Sequence, residues 1–223
     1  MQNKLQISHV LYQVKDLHIA VGKLREAGFI VEYGSDPVKA YNAMIWFEKG
    51  IFIEIYHDCK LPFYKKWMMG VLGYQSVLNR MKKWKNVGEG WSEWSLESEA
   101  EHLNAEKEIF NQKNISVKFH KAKRKDIHGR ILKWELLMPD DFDFPFLMSA
   151  YIPNPRPKKI NHPNGITGIQ NIVVGRENLN TKLVDELLIG QSELKLVEGK
   201  GLKTIEMSGH EIKIEDILQT QIL

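Results

Sequence analysis

Apolar and polar residues alternate with a period of two through Ile7-Ser8-His9-Val10-Leu11-Tyr12-Gln13-Val14, the signature of a half-buried strand. From Leu17 to Ala27 the period lengthens to that of a helix, which Asp16 can cap at its start and Gly28 can end. Apolar runs follow at residues 29–33, 42–47 and 51–56, separated by a turn-rich loop holding Gly34, Asp36 and Pro37 and by the Lys49-Gly50 pair of a tight hairpin. The first stretch, residues 1–57, is therefore predicted as one β-α-β-β-β module.

The same order returns further along the chain. Shifting the frame by 162 residues lays Ile7 on Ile169, Val10 on Ile172, Leu17 on Leu179 and Gly28 on Gly190. This later unit, residues 166–223, predicts a strand at 169–174, a helix from Asn178 to Ile189, and strands at 193–197, 202–207 and 211–215, with Ser208-Gly209 at the last hairpin. A looser copy lies between them at residues 88–152. Its predicted strands cover 91–97, 115–119, 131–138 and 146–152, and its helix 100–112. Residues 58–87 read as a helical connector carrying Trp67, Val71, Leu72, Val77, Leu78 and Met81. The proline-rich run Pro153-Asn154-Pro155-Arg156-Pro157 makes residues 153–165 a linker, because proline removes backbone donors and favours extended chain.

Composition narrows the setting of this pattern. With 43% hydrophobic and 26% charged residues, the 223-residue chain can bury a full core without a disulfide scaffold. The single cysteine, Cys59, excludes an intramolecular disulfide, and the opening MQNKLQISHV lacks the apolar centre of a secretory signal, so the cytoplasm is the expected compartment. No run of 18 apolar residues is present, which leaves no expectation of a membrane span. A net charge of +3 is too balanced for a nucleic-acid partner; the local run Lys121–Lys125 lacks interleaved aromatics and reads as a solvated strand end. Walker, dinucleotide-glycine, HExxH and CxxC patterns are all missing, so a nucleotide cofactor or a zinc-finger role has no support.

Particular residues carry a family resemblance. The pattern I-x-H-V-x-x-x-V-x-D-L, a helix ending in Ala27-Gly28-Phe29, the loop ending in Asn42-Ala43, and Phe47-x-x-Gly50-x-x-x-Glu54 resemble the first module of the glyoxalase-like domain family. The later segment Arg124…Asp126-x-x-Gly129-x-x-x-x-Trp134, followed by Pro145-Phe146-Leu147, is similar to that family's second module. The family lies in the vicinal oxygen chelate superfamily with glyoxalase I, extradiol dioxygenases and bleomycin-resistance proteins. The resemblance implies an α+β fold of βαβββ modules whose mixed, curved sheet forms a partly open barrel with helices outside. It also implies a cleft in which active members hold a divalent metal through a His or Gln from a module's first strand and a Glu from its last.

Strand alternation tests that implication on the residues themselves. In the first strand Val10, Tyr12 and Val14 should face the helix, leaving His9, Leu11 and Gln13 on the concave side. The last strand should likewise turn Phe52, Glu54 and Tyr56 into the cleft. His9 and Glu54 then share a face and match the superfamily's ligand positions. An imidazole and a carboxylate suit Zn²⁺, Mn²⁺, Fe²⁺ or Ni²⁺ without choosing among them. Equally, they can be a hydrogen-bonded pair in a polar cleft, with His9 as a general base or donor.

The other modules offer little to complete a chelate. Residues 88–152 put Trp91 in the place of His9, with Glu93 two residues on, and no carboxylate in 146–151; the third unit aligns Asn171 with His9 and Lys213 with Glu54. Gln13, Phe52, Tyr56, Trp91, Glu93 and Arg124 are the expected substrate-binding residues, and Trp46, Trp94 and Trp134 further candidates for an aromatic lining. His128 and Arg124 could meet an anionic group, and Cys59 is more simply a bystander. Two functions follow: a small-molecule enzyme working through His9 and Glu54, with or without a metal, or a non-catalytic protein that binds or sequesters a small molecule. Because such modules pair, the third leaves a homodimer as one way of finding its partner.

Overall fold

The computed structural model describes residues 5–57, 74–188, 190 and 192–219. Its first module runs β1 (Leu5–Gln13), α1 (Leu17–Glu26), β2 (Glu32–Tyr33), β3 (Asn42–Ile45) and β4 (Phe52–Tyr56). The Asp16 carboxylate accepts from the backbone N–H groups of His18 and Ile19 at 2.8 and 3.0 Å, satisfying two donors that the first helical turn leaves free. Leu17, Ala20, Val21 and Leu24 give α1 its buried stripe, and Gly28 ends it at φ +81°, where a side chain would be strained.

A second module repeats the order after helix α2 (Gln75–Val87), with β5 (Gly90–Ser98), α3 (Asn104–Gln112), β6 (Val117–Lys125), β7 (Ile131–Pro139) and β8 (Phe146–Met148). Together the two build one eight-stranded sheet in the order β2-β3-β4-β1-β5-β8-β7-β6. Each half has its first strand parallel to its last, β1 with β4 and β5 with β8, and the halves join antiparallel at β1 and β5. The sheet curls until its edges approach: His128, after β6, lies 3.4 Å from Glu32 of β2, and Arg124 of β6 reaches the Met44 sulfur of β3 at 3.9 Å. The mixed α+β architecture and the half-barrel expected from the sequence are thus present.

The third unit departs from the module. Strands β9 (Gly168–Arg176), β10 (Leu194–Val197) and β11 (Lys200–Ser208), with α4 (Thr181–Leu187), form a separate three-stranded sheet in the order β10-β9-β11. The expected final strand at 211–215 is absent; helix α5 (Ile214–Gln219) stands there instead. Ile214, Ile217 and Leu218 recur at helical spacing, and Glu215 and Asp216 place negative charge in the first turn, where the helix dipole favours it. β11 packs on β5 and α5 on α1, so Ile172, Val174, Ile205 and Ile214 join Val10, Tyr12, Trp91 and Leu96 in a single apolar core. No helix among the described residues is long and apolar enough to cross a membrane. The connector's Trp67, Val71 and Leu72 and the lone Cys59 lie outside the described residues, while its later part forms α2.

Backbone crowding in the third unit gives a stability prediction. A Cβ at Gly175 of β9 would press on the Gly199 carbonyl and lie 2.5 Å from the Lys200 nitrogen, where the β10–β11 turn crosses the strand. Gly175→Ala should lower stability by roughly 1–3 kcal/mol, the usual cost of overpacking against atoms that cannot rotate away. In a urea titration the midpoint should fall with little change in slope; an unchanged midpoint would show that the turn yields freely.

Candidate functional site

The helix-facing core and the concave face separate as the alternation requires. Val10, Tyr12, Val14, Ile51, Ile53 and Ile55 pack beneath the helices, while Leu11, Phe52 and Tyr56 belong to smaller apolar clusters on the opposite side of the sheet. His9 and Glu54 share that concave side, with Nε2 and Oε2 3.6 Å apart. His9 is only 3% exposed; its imidazole stacks on Phe52 at 4.6 Å between ring centres and meets the edge of Phe146 at 5.6 Å.

A β-bulge brings a second group of polar residues to the same place. The register of β1 against β5 slips between Ile7 and His9, and Ser8, which strict alternation assigns to the helix side, reaches Glu97 and Met148 in the cleft. Its hydroxyl donates to Glu97 Oε2 at 2.7 Å and stands 3.0 Å from His9 Nδ1, with the Ser95 hydroxyl 2.7 Å from the same nitrogen. Both contacts hold Nδ1 and leave Nε2 toward Glu54. Asn42 donates to Glu54 Oε1 at 2.8 Å. A side chain at Gly34 would collide with Asn42 and Arg124, so this glycine permits their close packing at the rim.

Burial sets the charges. Desolvation, helped by the positive charges of Arg124 and Arg156, pushes the His9 imidazolium down to about 3, so the ring is neutral at physiological pH. The Glu54 carboxyl is raised by burial, against the opposing pull of the Asn42 hydrogen bond and Arg124. Glu97 is also raised by burial, with Ser8 and Arg156 acting the other way. The cleft thus holds a neutral imidazole beside a carboxyl displaced toward neutrality, with guanidinium groups supplying the positive charge.

Strand register identifies what the second module contributes. His9 pairs with Phe52 across β1 and β4, and Ser95 pairs with Phe146 across β5 and β8, so Ser95 takes the place of His9 and Met148 that of Glu54. Neither a serine hydroxyl nor a thioether completes a site for a hard or borderline divalent ion. Among the described residues no three His, Cys, Asp or Glu side chains come together in a way that could hold a metal. Among the described residues the donor set at His9 and Glu54 is two ligands with a guanidinium nearby, fewer than the three protein ligands usual for a catalytic metal.

Other residues expected at the site are distributed by the fold. Phe52 forms the bed of His9, and Tyr56 closes the neighbouring end with Leu11 and Phe146. The Gln13 amide lies against the carbonyls of Trp84 and Gly88, so the C-terminal end of α2 occupies it. Glu93 is on the concave side but is taken by Arg80 and Trp84 of α2, not left for a ligand. Trp91 does not enter the cleft. A second bulge skips Ser92 between the Leu11–Glu93 and Tyr12–Trp91 pairs, which turns the indole into the helix-side core against Tyr12 and Glu215. Trp94 is also helix-side, whereas Trp46 and Trp134 are on the cleft side, the latter 4.9 Å from Tyr151. Arg124 reaches the cleft with its guanidinium over Trp134.

Beyond Phe52 lies a cavity of about 240 Å³, lined by Trp46, Glu97, Tyr151 and Arg156 among others, but not by His9 or Glu54. The stacked Phe52 ring and the Ser8 bridge from Glu97 join the two compartments. Arg156 belongs to the proline-rich segment expected as a plain linker. That segment is instead pinned to the first module: Arg156 donates to the Phe47 carbonyl at 2.8 Å, and His162 accepts from the Ile30 N–H and donates to the Trp46 carbonyl. Charge in a proline-rich stretch was the one signal for it in the sequence.

A family model described as a glyoxalase-like domain matches residues 7–188 of this chain. The chain belongs to the glyoxalase-like domain family. In structure it is similar to a hypothetical protein from Staphylococcus aureus, at 13% identity and a TM-score of 0.60, over 93% of this chain and 92% of that one. It is similar too to the Mn(II)-bound glyoxalase from Novosphingobium aromaticivorans, at 11% identity and a TM-score of 0.53, over 92% of this chain and 65% of that one. At these identities the likeness is one of fold. No curated protein sequence matches the chain significantly.

Proposed function

We propose that the chain acts on one small organic molecule in its concave cleft by metal-independent proton transfer, with Glu54 as the acid–base group and the neutral His9 beside it as a hydrogen-bond donor to the substrate. One observation carries this reading: His9 and Glu54 face each other across 3.6 Å while the equivalent positions of the second module are Ser95 and Met148. A carboxyl raised toward neutrality suits proton abstraction and return near physiological pH. An imidazole kept neutral by burial polarises an oxygen by hydrogen bonding without having to lose a proton first. Arg124 supplies, as a fixed guanidinium, positive charge on which a developing oxyanion could lean.

The test is proton exchange. Carbonyl compounds and hydroxy acids incubated with the protein in D₂O should show deuterium entering at the carbon beside the carbonyl by NMR. Glu54→Gln should slow that exchange by roughly a hundredfold or more. Titration calorimetry with Mn²⁺, Ni²⁺, Fe²⁺ and Zn²⁺ should give no stoichiometric binding that a His9→Ala, Glu54→Gln double variant removes; binding lost in that variant would overturn the metal-independent mechanism. A second reading, binding or sequestration without chemistry, is favoured by the near-complete burial of His9 behind Phe52. It predicts ligand-induced stabilisation with no exchange in any substrate.

A further inference from the structure

We infer that the cavity beyond Phe52 is a carboxylate-binding subsite, in which Arg156 and the Trp46 indole N–H hold the anionic end of a small, flat organic acid. The inference rests on the reading of the cleft as a small-molecule site and names the class of molecule.

Arg156 is half-buried and lines the cavity, with its guanidinium stacked over Trp46 and Phe52 at 5.5 and 5.6 Å from the ring centres. Its side chain has one hydrogen bond among the described residues, to a main-chain carbonyl of Phe47, and no ion pair with a carboxylate. Five N–H donors in a planar fork suit bidentate contact with a carboxylate, and the Glu97 carboxyl acts on this guanidinium only at a distance, without an ion pair. Trp46 lines the same cavity, is 2% exposed, and its indole N–H is buried without a partner. An unmet buried donor is costly, and an acceptor entering the cavity would meet it. An orphaned indole N–H and a guanidinium with spare donors line one cavity, a pairing that suits an anionic acceptor.

Glu97 shares the cavity wall and could repel one. Its carboxylate already accepts from Ser8, and burial raises it toward the neutral form, so the wall opposite Arg156 carries a weakened negative charge. Glu48 is held toward the linker by a 3.4 Å contact with the Ile160 N–H, while Lys49 stands on the cavity rim. Trp46, Phe52 and Tyr151 supply flat apolar faces for the body of the ligand. A volume of about 240 Å³ is below the roughly 300–1,000 Å³ of drug-sized pockets, which limits the molecule to a small acid.

Benzoate, with benzamide as its uncharged counterpart, is the probe. Tryptophan fluorescence and calorimetry on the full chain should show saturable benzoate binding, with benzamide roughly tenfold or more weaker. Arg156→Met, which keeps the length of the stem but removes the fork, should weaken benzoate by roughly ten- to a hundredfold and leave benzamide almost unchanged. Trp46→Phe should cost a smaller factor; circular dichroism checks that both variants fold. Equal binding of acid and amide, no benzoate binding, or unimpaired binding by Arg156→Met would each overturn the subsite. Benzoate binding that survives Glu54→Gln, with no deuterium exchange in any substrate, would sink the catalytic reading and leave the subsite standing.

Discussion

Glu93→Ala is expected to destabilise the protein by about 3–5 kcal/mol, more than any substitution at the cleft, because it strands a buried guanidinium. Arg80 is 1% exposed and is the tie between α2 and the second module. It pairs with Glu93 and donates to the carbonyls of Pro139 and Asp141 at 2.8 Å each and of Phe144 at 3.1 Å, so one side chain fastens α2 to β5 and to the loop between β7 and β8. Burial raises the Glu93 carboxyl against the attraction of Arg80 and the Trp84 hydrogen bond, so the pair works against a large desolvation cost. Removing one partner leaves that cost without its compensation. At this chain length the loss corresponds to a fall in melting temperature on the order of 10 °C. Arg80→Met should cost a similar amount, and the Arg80→Met, Glu93→Leu double variant much less than the sum of the two. Strict additivity in calorimetric melting would show that the two side chains do not act as a pair.

The network around Glu93 also marks the limit of what the chain reveals before folding. Period-two alternation puts His9 and Glu54 on one face, and the β1–β4 pairing that carries both residues is regular. Laying the second module on the first put Trp91 in the place of His9, where the strand register puts Ser95, and alternation gave Ser8 no part in the cleft. Each error has a bulge beside it, at Ser92 and Ser8 respectively, and an extra residue in one strand inverts the facing of everything on its far side. Nothing in local composition marks either bulge, since the slip is decided by how two strands far apart in the sequence pair. The final strand expected at 211–215 failed for another reason. Ile212 and Ile214 alternate over so short a span that a strand and the start of a helix look alike, and docking of α5 on α1 decided between them. Arg156 and His162 were hidden by the proline pattern, which describes the backbone of a segment and says nothing of what its side chains grip.

Between pH 7 and pH 4 the His9 contribution to stability should fall by roughly 3 kcal/mol, and His9→Gln should abolish that part of the pH dependence. The imidazole titrates near 6.5 when the chain is unfolded and near 3 when it is buried against Phe52 and Phe146. From pH 6.5 downward the unfolded state therefore takes up a proton that the folded state refuses, and stability is lost until the folded value is reached. Glu54, Glu93 and Glu97 act in the opposite sense. Their folded forms hold protons more tightly than the unfolded chain, so the stability they confer is greatest at low pH and is lost as pH rises through their raised values. Comparing the slope of the variant with that of the wild type cancels those three carboxyls and isolates the histidine. Chemical denaturation at each pH provides the comparison, and parallel curves would show that His9 exchanges its proton freely in the folded state. The consequence for function is direct. With His9 neutral above about pH 4, the acid limb of the proposed proton-transfer profile should belong to Glu54, so Glu54→Gln should remove it while His9→Gln leaves it in place.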